Sequence, residues 1–144
     1  MITRVAVAAL SLVFGTALLG HAQESGLEST IARFAASWNR GDAGAIASFV
    51  ASAGVSLDLD DGPAGPLGSR QAAAALRRMF EGHETVSVRP GAVRIVGGAP
   101  QRAYSQLDWR VRARGTTVTE RRTVFIALVR EPAGWRITHI RLLR

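Results

Sequence analysis

The chain of 144 residues contains no cysteine and, among 18 basic residues, no lysine. The lack of cysteine excludes disulfides, thiolate metal sites and thiol nucleophiles. We attribute the use of arginine alone to a compositional bias that also makes alanine abundant, so arginine by itself does not indicate phosphate binding here. Aromatic residues make up 6% of the chain, and Tyr104 is its one tyrosine. Tyrosine-based chemistry is therefore restricted to that position.

The N-terminal uncharged run is too short for an ordinary membrane span. It extends over 16 residues, from Val5 to Gly20, after a basic start at Arg4, whereas a helix needs about 20 apolar residues to cross a bilayer. Small residues at Gly20 and Ala22 follow, which is typical of a cleaved secretory signal. We predict a signal peptide over residues 1–22 and one exported domain, periplasmic or secreted, over residues 23–144. An uncleaved anchor remains an alternative.

Charge is divided unevenly along the predicted domain. Gln23 to Val88 holds five arginines and eight acidic residues, a net charge of −3, whereas Arg89 to Arg144 holds twelve arginines and three acidic residues, a net charge of +9. Such an asymmetry is compatible with a surface that faces a polyanion.

Helical periodicity of apolar residues predicts three helices, each with a start signal. Ser25 and Glu28 match a capping box before the first helix. Gly41 and Asp42 provide the end of that helix and the cap of the second, and Ser69 provides the cap of the third. The predicted ranges are Leu27 to Asn39, Ala43 to Val50 and Arg70 to Glu81.

Alternating patterns and turn signals predict five strands. The segment Asp61 to Gly68, rich in glycine and proline, is expected to be a loop. The helices precede most of the strands, which predicts an α+β fold with three N-terminal helices packed on one face of a curved antiparallel sheet. The predicted strands are Val55 to Leu59, Thr85 to Val96, Arg102 to Arg114, Thr116 to Arg130 and Trp135 to Leu143.

Three segments resemble a known superfamily. The helix–turn–helix "WNRGDAGAIASF" and the final strand "GWRITHIRLL" are similar to the nuclear-transport-factor-2-like (cystatin-like) proteins, and the segment "FEGHETVSVRPGAVRIVGG" is similar to their small exported domains of unknown function. The resemblance implies a cone-shaped fold that binds ligands between helices and sheet. The superfamily includes ketosteroid isomerases, polyketide cyclases, dehydratases and many non-catalytic proteins.

The residues that such enzymes use are poorly represented. Isomerases of this superfamily have a tyrosine on the first helix, where this chain has Phe34 and Trp38. Tyr104 shares the polar face of its strand with Asp108 and Arg110, so we expect an exposed cluster there.

Histidine provides the best catalytic candidate in the last strand. Ile137, His139 and Arg141 alternate there with Thr138, Ile140 and Leu142, and either set can face inward. His139 is therefore a candidate general base, and His83 is expected at the surface. The candidate ligand-binding residues are Trp38, His139, Arg110 and Arg112. No metal site and no cofactor are predicted.

These observations favour a non-enzymatic exported domain that binds a small apolar or anionic ligand. Two alternatives remain open: an acid–base enzyme of the isomerase, cyclase or dehydratase type, and a binder of polyanions or membrane surfaces. Nucleic acid is not an expected partner, nor is stable membrane insertion after signal cleavage. The segment "TVFIALV" is apolar on both faces of its strand, so we expect something besides the helices to cover it. Members of the superfamily often pair through the outer sheet face, so the resemblance implies a homodimer there around Val124, Ile126 and Leu128.

Overall fold

The first half of the chain mixes helices with a hairpin, and the second half consists of long strands. The computed structural model describes the backbone of residues 15–144 and the side chains of residues 26–144. In chain order the elements are α1 (Gly15–Asn39), α2 (Ala43–Ala47), β1 (Val55–Leu59), β2 (Gly62–Leu67), α3 (Ser69–Gly82), β3 (His83–Val96), β4 (Arg102–Ala113), β5 (Glu120–Glu131) and β6 (Gly134–Leu143).

Helix α1 is longer than predicted at its N-terminal end. Its described part begins at Gly15, so Ser25 lies inside the helix and the predicted capping box is wrong. The intervening alanines, leucines and glutamine favour helix, which explains why it continues upstream of Ser25. Residues 1–14 of the predicted signal peptide lie outside the described residues, and its cleavage stays a prediction. Among the described residues, no helix is long and apolar enough to cross a membrane.

The turn between α1 and α2 forms as predicted. Gly41 has a φ of 62°, a conformation that glycine adopts without steric cost. Oδ1 of Asp42 accepts a hydrogen bond from the backbone N–H of Ala45 at 3.0 Å, which confirms Asp42 as the cap of α2. At α3 the predicted cap is displaced by one residue, because Gly68 is the cap and Ser69 is already helical.

The six strands form one sheet in the order β2-β1-β6-β5-β4-β3. The meander from β3 to β6 is antiparallel, as predicted. The prediction of an entirely antiparallel sheet is wrong at one pair, because β1 and β6 run parallel. These two strands are far apart in the chain, so no short turn imposes an antiparallel direction on them.

Strand β2 corrects the predicted loop from Asp61 to Gly68. It pairs antiparallel with β1 and forms the edge of the sheet. A proline has no N–H for a sheet ladder, but an edge strand needs ladder donors on one side only. Pro63 and Pro66 are therefore compatible with this strand.

The helices cover one face of the sheet, here called the inner face, and aromatic side chains fill the space between them. The Trp38 ring lies 5.7 Å from Phe34, 5.2 Å from Phe80 and 5.3 Å from Trp109, measured between ring centroids. Trp38, Trp109 and Phe34 are fully buried. This cluster confirms the predicted apolar face of α1.

Strands β4 and β5 each bury one set of alternating side chains on the inner face. Ala103, Ser105, Leu107 and Trp109 are buried, and the opposite set of β4 includes Tyr104, Asp108 and Arg110, as predicted. On β5, Val124, Ile126 and Leu128 are at most 1% exposed and belong to the core. Their predicted place on the outer face is wrong, because they lie opposite Leu107, Ser105 and Ala103 in the sheet. The outer set is Phe125, Ala127 and Val129, of which Ala127 and Val129 are also buried, with 7% and 9% of their surface exposed.

Candidate functional site

The space between the helices and the sheet is apolar and contains no buried titratable side chain among residues 26–144. The buried polar side chains there are Thr30, Ser37 and Ser105. Each hydroxyl donates to a main-chain carbonyl, that of Gly26 at 2.9 Å, Arg33 at 2.9 Å and Ala92 at 3.3 Å respectively. The described interior therefore holds no fully buried carboxylate, imidazole or phenol, although the partly buried His83 lies at its edge, with its ring 5.9 Å from that of Trp109.

The outer face of the sheet, which the helices do not cover, carries most of the polar side chains. Pairing between strands aligns these residues in rows across the sheet. The rows, each written from β3 or β4 outward, are Arg94–Tyr104–Ala127–His139–Ser56, Gln106–Phe125–Arg141–Asp58, Arg89–Asp108–Thr123–Leu143 and Ser87–Arg110–Arg121.

A groove of about 430 Å³ lies where the first two rows meet the β1–β2 hairpin. We call it the hairpin groove, and its lining includes Ser56, Asp58, Gly65, Phe125, His139 and Arg141. It is the groove that contains the candidate His139.

His139 reaches the outer face because β6 contains a bulge. Leu128 pairs with Ile137 and Ala127 pairs with His139, so Thr138 is an extra residue between them. The extra residue reverses the alternation, and both Ile137 and Ile140 are consequently buried on the inner face. The His139 side chain is exposed, and its Nδ1 lies 3.0 Å from Thr138 Oγ1.

Aromatic and charged groups of the hairpin groove occupy neighbouring positions. The rings of Tyr104 and Phe125 stack with centroids 5.9 Å apart and planes at 24°. Arg141 Nε lies 3.1 Å from Asp58 Oδ2, and the Arg141 side chain is 60% exposed. The other N–H donors of this guanidinium are available for an anionic ligand.

The two strands of the hairpin come close together at Gly65. A Cβ atom at this position would lie 2.8 Å from the carbonyl oxygen of Val55 and 2.9 Å from Ser56 Cα, and Gly65 has a φ of +128°. The wall of the groove therefore depends on a residue without a side chain.

The other predicted ligand-binding residues lie elsewhere. Trp38 is fully buried in the core. Arg110 is exposed in another row of the outer face, and Arg112 pairs with Glu84 at 2.9 Å. The hydrogen bond and charge of Arg112 lower the pKa of Glu84. The four predicted residues thus do not form one site.

Sequence reasoning missed a polar network around His83, which was expected at the surface. His83 is partly buried: Nδ1 lies 2.8 Å from the carbonyl oxygen of Met79 and Nε2 lies 3.4 Å from Asp60 Oδ2. Asp60 also receives two hydrogen bonds of 2.9 Å from Arg122.

Burial tends to lower the pKa of Arg122, but the hydrogen bonds and charges of Asp60 and Glu120 outweigh this effect and raise that pKa. Because both His83 nitrogens face oxygen atoms of the protein, we interpret the network as structural. Its members are far apart in the sequence, so no local pattern could reveal it.

Comparison with known proteins identifies the class of fold. Neither a protein-family model nor a curated protein matches the chain. Among solved structures, a domain of unknown function with a cystatin-like fold from Nostoc punctiforme is 22% identical, with a TM-score of 0.66 over 85% of this chain and 77% of that one. A nuclear-transport-factor-2-like protein with a cystatin-like fold from Novosphingobium aromaticivorans is 19% identical, with a TM-score of 0.62 over 88% and 84%.

A third similar structure has an enzyme-related description. It is a ketosteroid isomerase-like protein from Erwinia carotovora atroseptica, 16% identical, with a TM-score of 0.65 over 82% of this chain and 92% of that one. The chain therefore has the nuclear-transport-factor-2-like, cystatin-like fold that its motifs predicted. At these identities the likeness establishes the fold and does not assign an activity.

Proposed function

We propose that the chain is a non-catalytic, exported, cone-shaped domain that binds a small ligand in the hairpin groove. The ligand would have an apolar ring and an anionic group. The observation that carries this proposal is the juxtaposition, in one groove of the outer face, of the Phe125 ring, the His139 imidazole and the exposed guanidinium of Arg141.

Each of these groups has a defined part in binding. Phe125, stacked with Tyr104, offers an aromatic surface for a ring of the ligand. Arg141 attracts a carboxylate through the donors that Asp58 does not use. His139, whose Nδ1 lies beside Thr138, has Nε2 for a further hydrogen bond to the ligand.

The described interior gives the acid–base alternative no fully buried proton-transfer group. An acid–base enzyme of this fold would need a titratable group between the helices and the sheet, and the buried side chains of residues 26–144 include none. For this reason we do not propose an isomerase, cyclase or dehydratase. The alternative of a polyanion binder concerns arginines outside the hairpin groove.

The proposal is tested by titrating the protein with benzoate, benzyl alcohol and acetate, followed by ¹H–¹⁵N NMR. We expect benzoate to bind most tightly and to shift resonances of residues 56–58, 125 and 139–141. Phe125→Ala should weaken benzoate binding about tenfold, and Arg141→Gln should remove the preference for benzoate over benzyl alcohol. Arg77→Gln, on the exposed side of α3, is the matched control.

Sedimentation of the same variants separates a ligand site from a contact between copies of the chain. If the outer face forms a homodimer, as predicted from β5, Phe125→Ala should convert a dimer to a monomer. That result, or benzoate shifts confined to residues outside the groove, would overturn the proposal of a ligand site.

A further inference from the structure

A second groove on the outer face is rich in arginine. It lies beside the rows Arg89–Asp108–Thr123–Leu143 and Ser87–Arg110–Arg121. Its volume is about 460 Å³. We call it the arginine groove, and its lining consists of three arginines, two carboxylates and two hydroxyl-bearing residues: Arg89, Arg110, Arg121, Asp108, Glu120, Ser87 and Thr119.

Two of these arginines face each other across neighbouring strands. Arg110 of β4 pairs directly with Arg121 of β5, and like charges at directly opposite positions of antiparallel strands destabilise a sheet. The Arg110 and Arg121 side chains are both exposed, so water screens part of this repulsion. A negative charge between or beside the two guanidinium groups would reduce the repulsion that remains.

The carboxylates of the chain balance the charge of only some of the arginines in this groove. Asp108 is bound on both oxygens by Arg121, with Nε–Oδ1 at 2.9 Å and a terminal nitrogen to Oδ2 at 2.8 Å. Glu120 pairs with Arg122, which lies on the inner side of β5. Within residues 26–144, neither Arg89 nor Arg110 forms an ion pair with a carboxylate. Arg89 nevertheless lies beside Asp108 in the register of β3 and β4.

We infer that the arginine groove binds a phosphate or sulfate group. A tetrahedral oxyanion accepts several hydrogen bonds at once, and the planar guanidinium presents paired donors that match two of its oxygens. Arg89 and Arg110 would supply these donors from adjacent strands. Arg121 lies beside them with its charge balanced by Asp108, and the hydroxyl groups of Ser87 and Thr119 are further donors at the groove wall.

This site is independent of the proposed ligand in the hairpin groove. The two grooves share no lining residue, and they lie beside different rows of the outer face. Either proposal can therefore fail without the other.

The experiment follows the guanidinium Nε–Hε NMR signals of the chain while chloride is replaced by sulfate or phosphate at constant ionic strength. We expect saturable shifts of the Arg89, Arg110 and Arg121 signals with both oxyanions. Arg89→Gln and Arg110→Gln should each weaken binding about tenfold, since each removes charge-assisted hydrogen bonds. Arg77→Gln on α3 is the matched control and should leave the affinity unchanged.

A second arm of the experiment distinguishes a free oxyanion from an oxyanion carried on a polymer. A sulfated oligosaccharide that binds more tightly than inorganic sulfate, and loses that binding in Arg110→Gln, would indicate a group carried on a polymer. Equal affinity per sulfate would indicate a free anion. Shifts with sulfate and phosphate no larger than those with chloride would overturn the inference.

A third measurement separates a binding role from a structural one. Without any oxyanion, Arg110→Gln should leave the Tm unchanged or raise it by about 1–3 °C, because it removes one of two opposed charges. In saturating sulfate the wild type should gain more Tm than the variant. A fall in the Tm of the oxyanion-free variant would assign Arg110 to the stability of the sheet and would overturn the inference.

Discussion

Trp38 and Trp109 lie edge to face in the core and differ in the hydrogen bonding of the indole Nε1. Both are fully buried. Nε1 of Trp109 donates to Thr85 Oγ1 at 3.0 Å, whereas within residues 26–144 Nε1 of Trp38 has no acceptor. A buried donor without a partner costs free energy on the scale of a lost hydrogen bond. The two indoles therefore contribute differently to stability despite equal burial.

We expect Trp109→Phe to lower the free energy of unfolding more than Trp38→Phe does, by about 1–3 kcal/mol. Both variants create a cavity, but only Trp109→Phe removes a hydrogen bond, and Trp38→Phe removes an unsatisfied donor. Urea denaturation followed by far-UV circular dichroism measures the difference. Equal losses would mean that the Trp38 N–H finds a partner in solution.

A second residue-scale prediction concerns pH. The Glu131 carboxylate accepts hydrogen bonds from Ser52 Oγ at 2.7 Å and Ser52 N at 2.9 Å, and these bonds lower its pKa from an ordinary value of about 4.5. A lowered pKa in the folded state stabilises the protein above the ordinary pKa, and this contribution is lost as the pH falls through the lowered value. Glu131→Gln should therefore have a lower Tm than the wild type at pH 7, with the difference shrinking towards pH 3. Glu28→Gln on the exposed side of α1 serves as the control, and a difference that grows on acidification would contradict the assignment.

Local sequence patterns predicted some elements well and others poorly. β1 has the predicted bounds, Val55 to Leu59, because its side chains alternate between buried and partly buried. β2 was missed because its glycines and prolines indicate a loop, and the strand exists through pairing with β1. The position of His139 could not be predicted, since one extra residue at Thr138 reverses the alternation in β6. Contacts such as Asp58 with Arg141 depend on strand order, which a local pattern does not contain.

The β1–β2 hairpin provides an element-scale prediction. Gly65→Ala would introduce a Cβ atom 2.8 Å from the Val55 carbonyl at a φ of +128°. We expect a loss of about 1–3 kcal/mol in stability and weaker ligand binding in the hairpin groove. The control is Gly97→Ala between β3 and β4, where a Cβ atom would have no neighbour within 4 Å. Thermal unfolding measures both variants, and similar losses in the two would show that the hairpin tolerates a side chain at residue 65.

At the scale of the whole molecule, the charge asymmetry of the sequence becomes a spatial one. The segment from Arg89 to Arg144, which carries the net charge of +9, contains most of β3 and all of β4, β5 and β6. The inner face of these strands is apolar, so most of their arginines lie on the outer face or at its edges. Because these arginines lie on or beside the outer face, both ligands that we propose for that face carry negative charge.

The predicted signal peptide gives a test on the whole chain. The first buried side chain among residues 26–144 is Leu27, so a chain that starts at Gln23 retains every described core residue. We expect its Tm to lie within about 2 °C of that of the full chain. When the full chain is expressed in a bacterial host, mass spectrometry of the exported fraction should give Gln23 as the first residue. Recovery of the uncut chain from the membrane fraction would instead indicate an anchor.

The parallel pairing of β1 with β6 has a consequence for when the sheet forms. β6 is synthesised after every other strand, yet it lies between β1 and β5 and joins the hairpin to the meander. Until residues 134–143 are present, β1 and β2 have no connection to the other strands through the sheet. Such long-range pairing slows folding. Because the sheet closes only at its last strand, we expect the chain to complete its fold after synthesis, which is compatible with the predicted export.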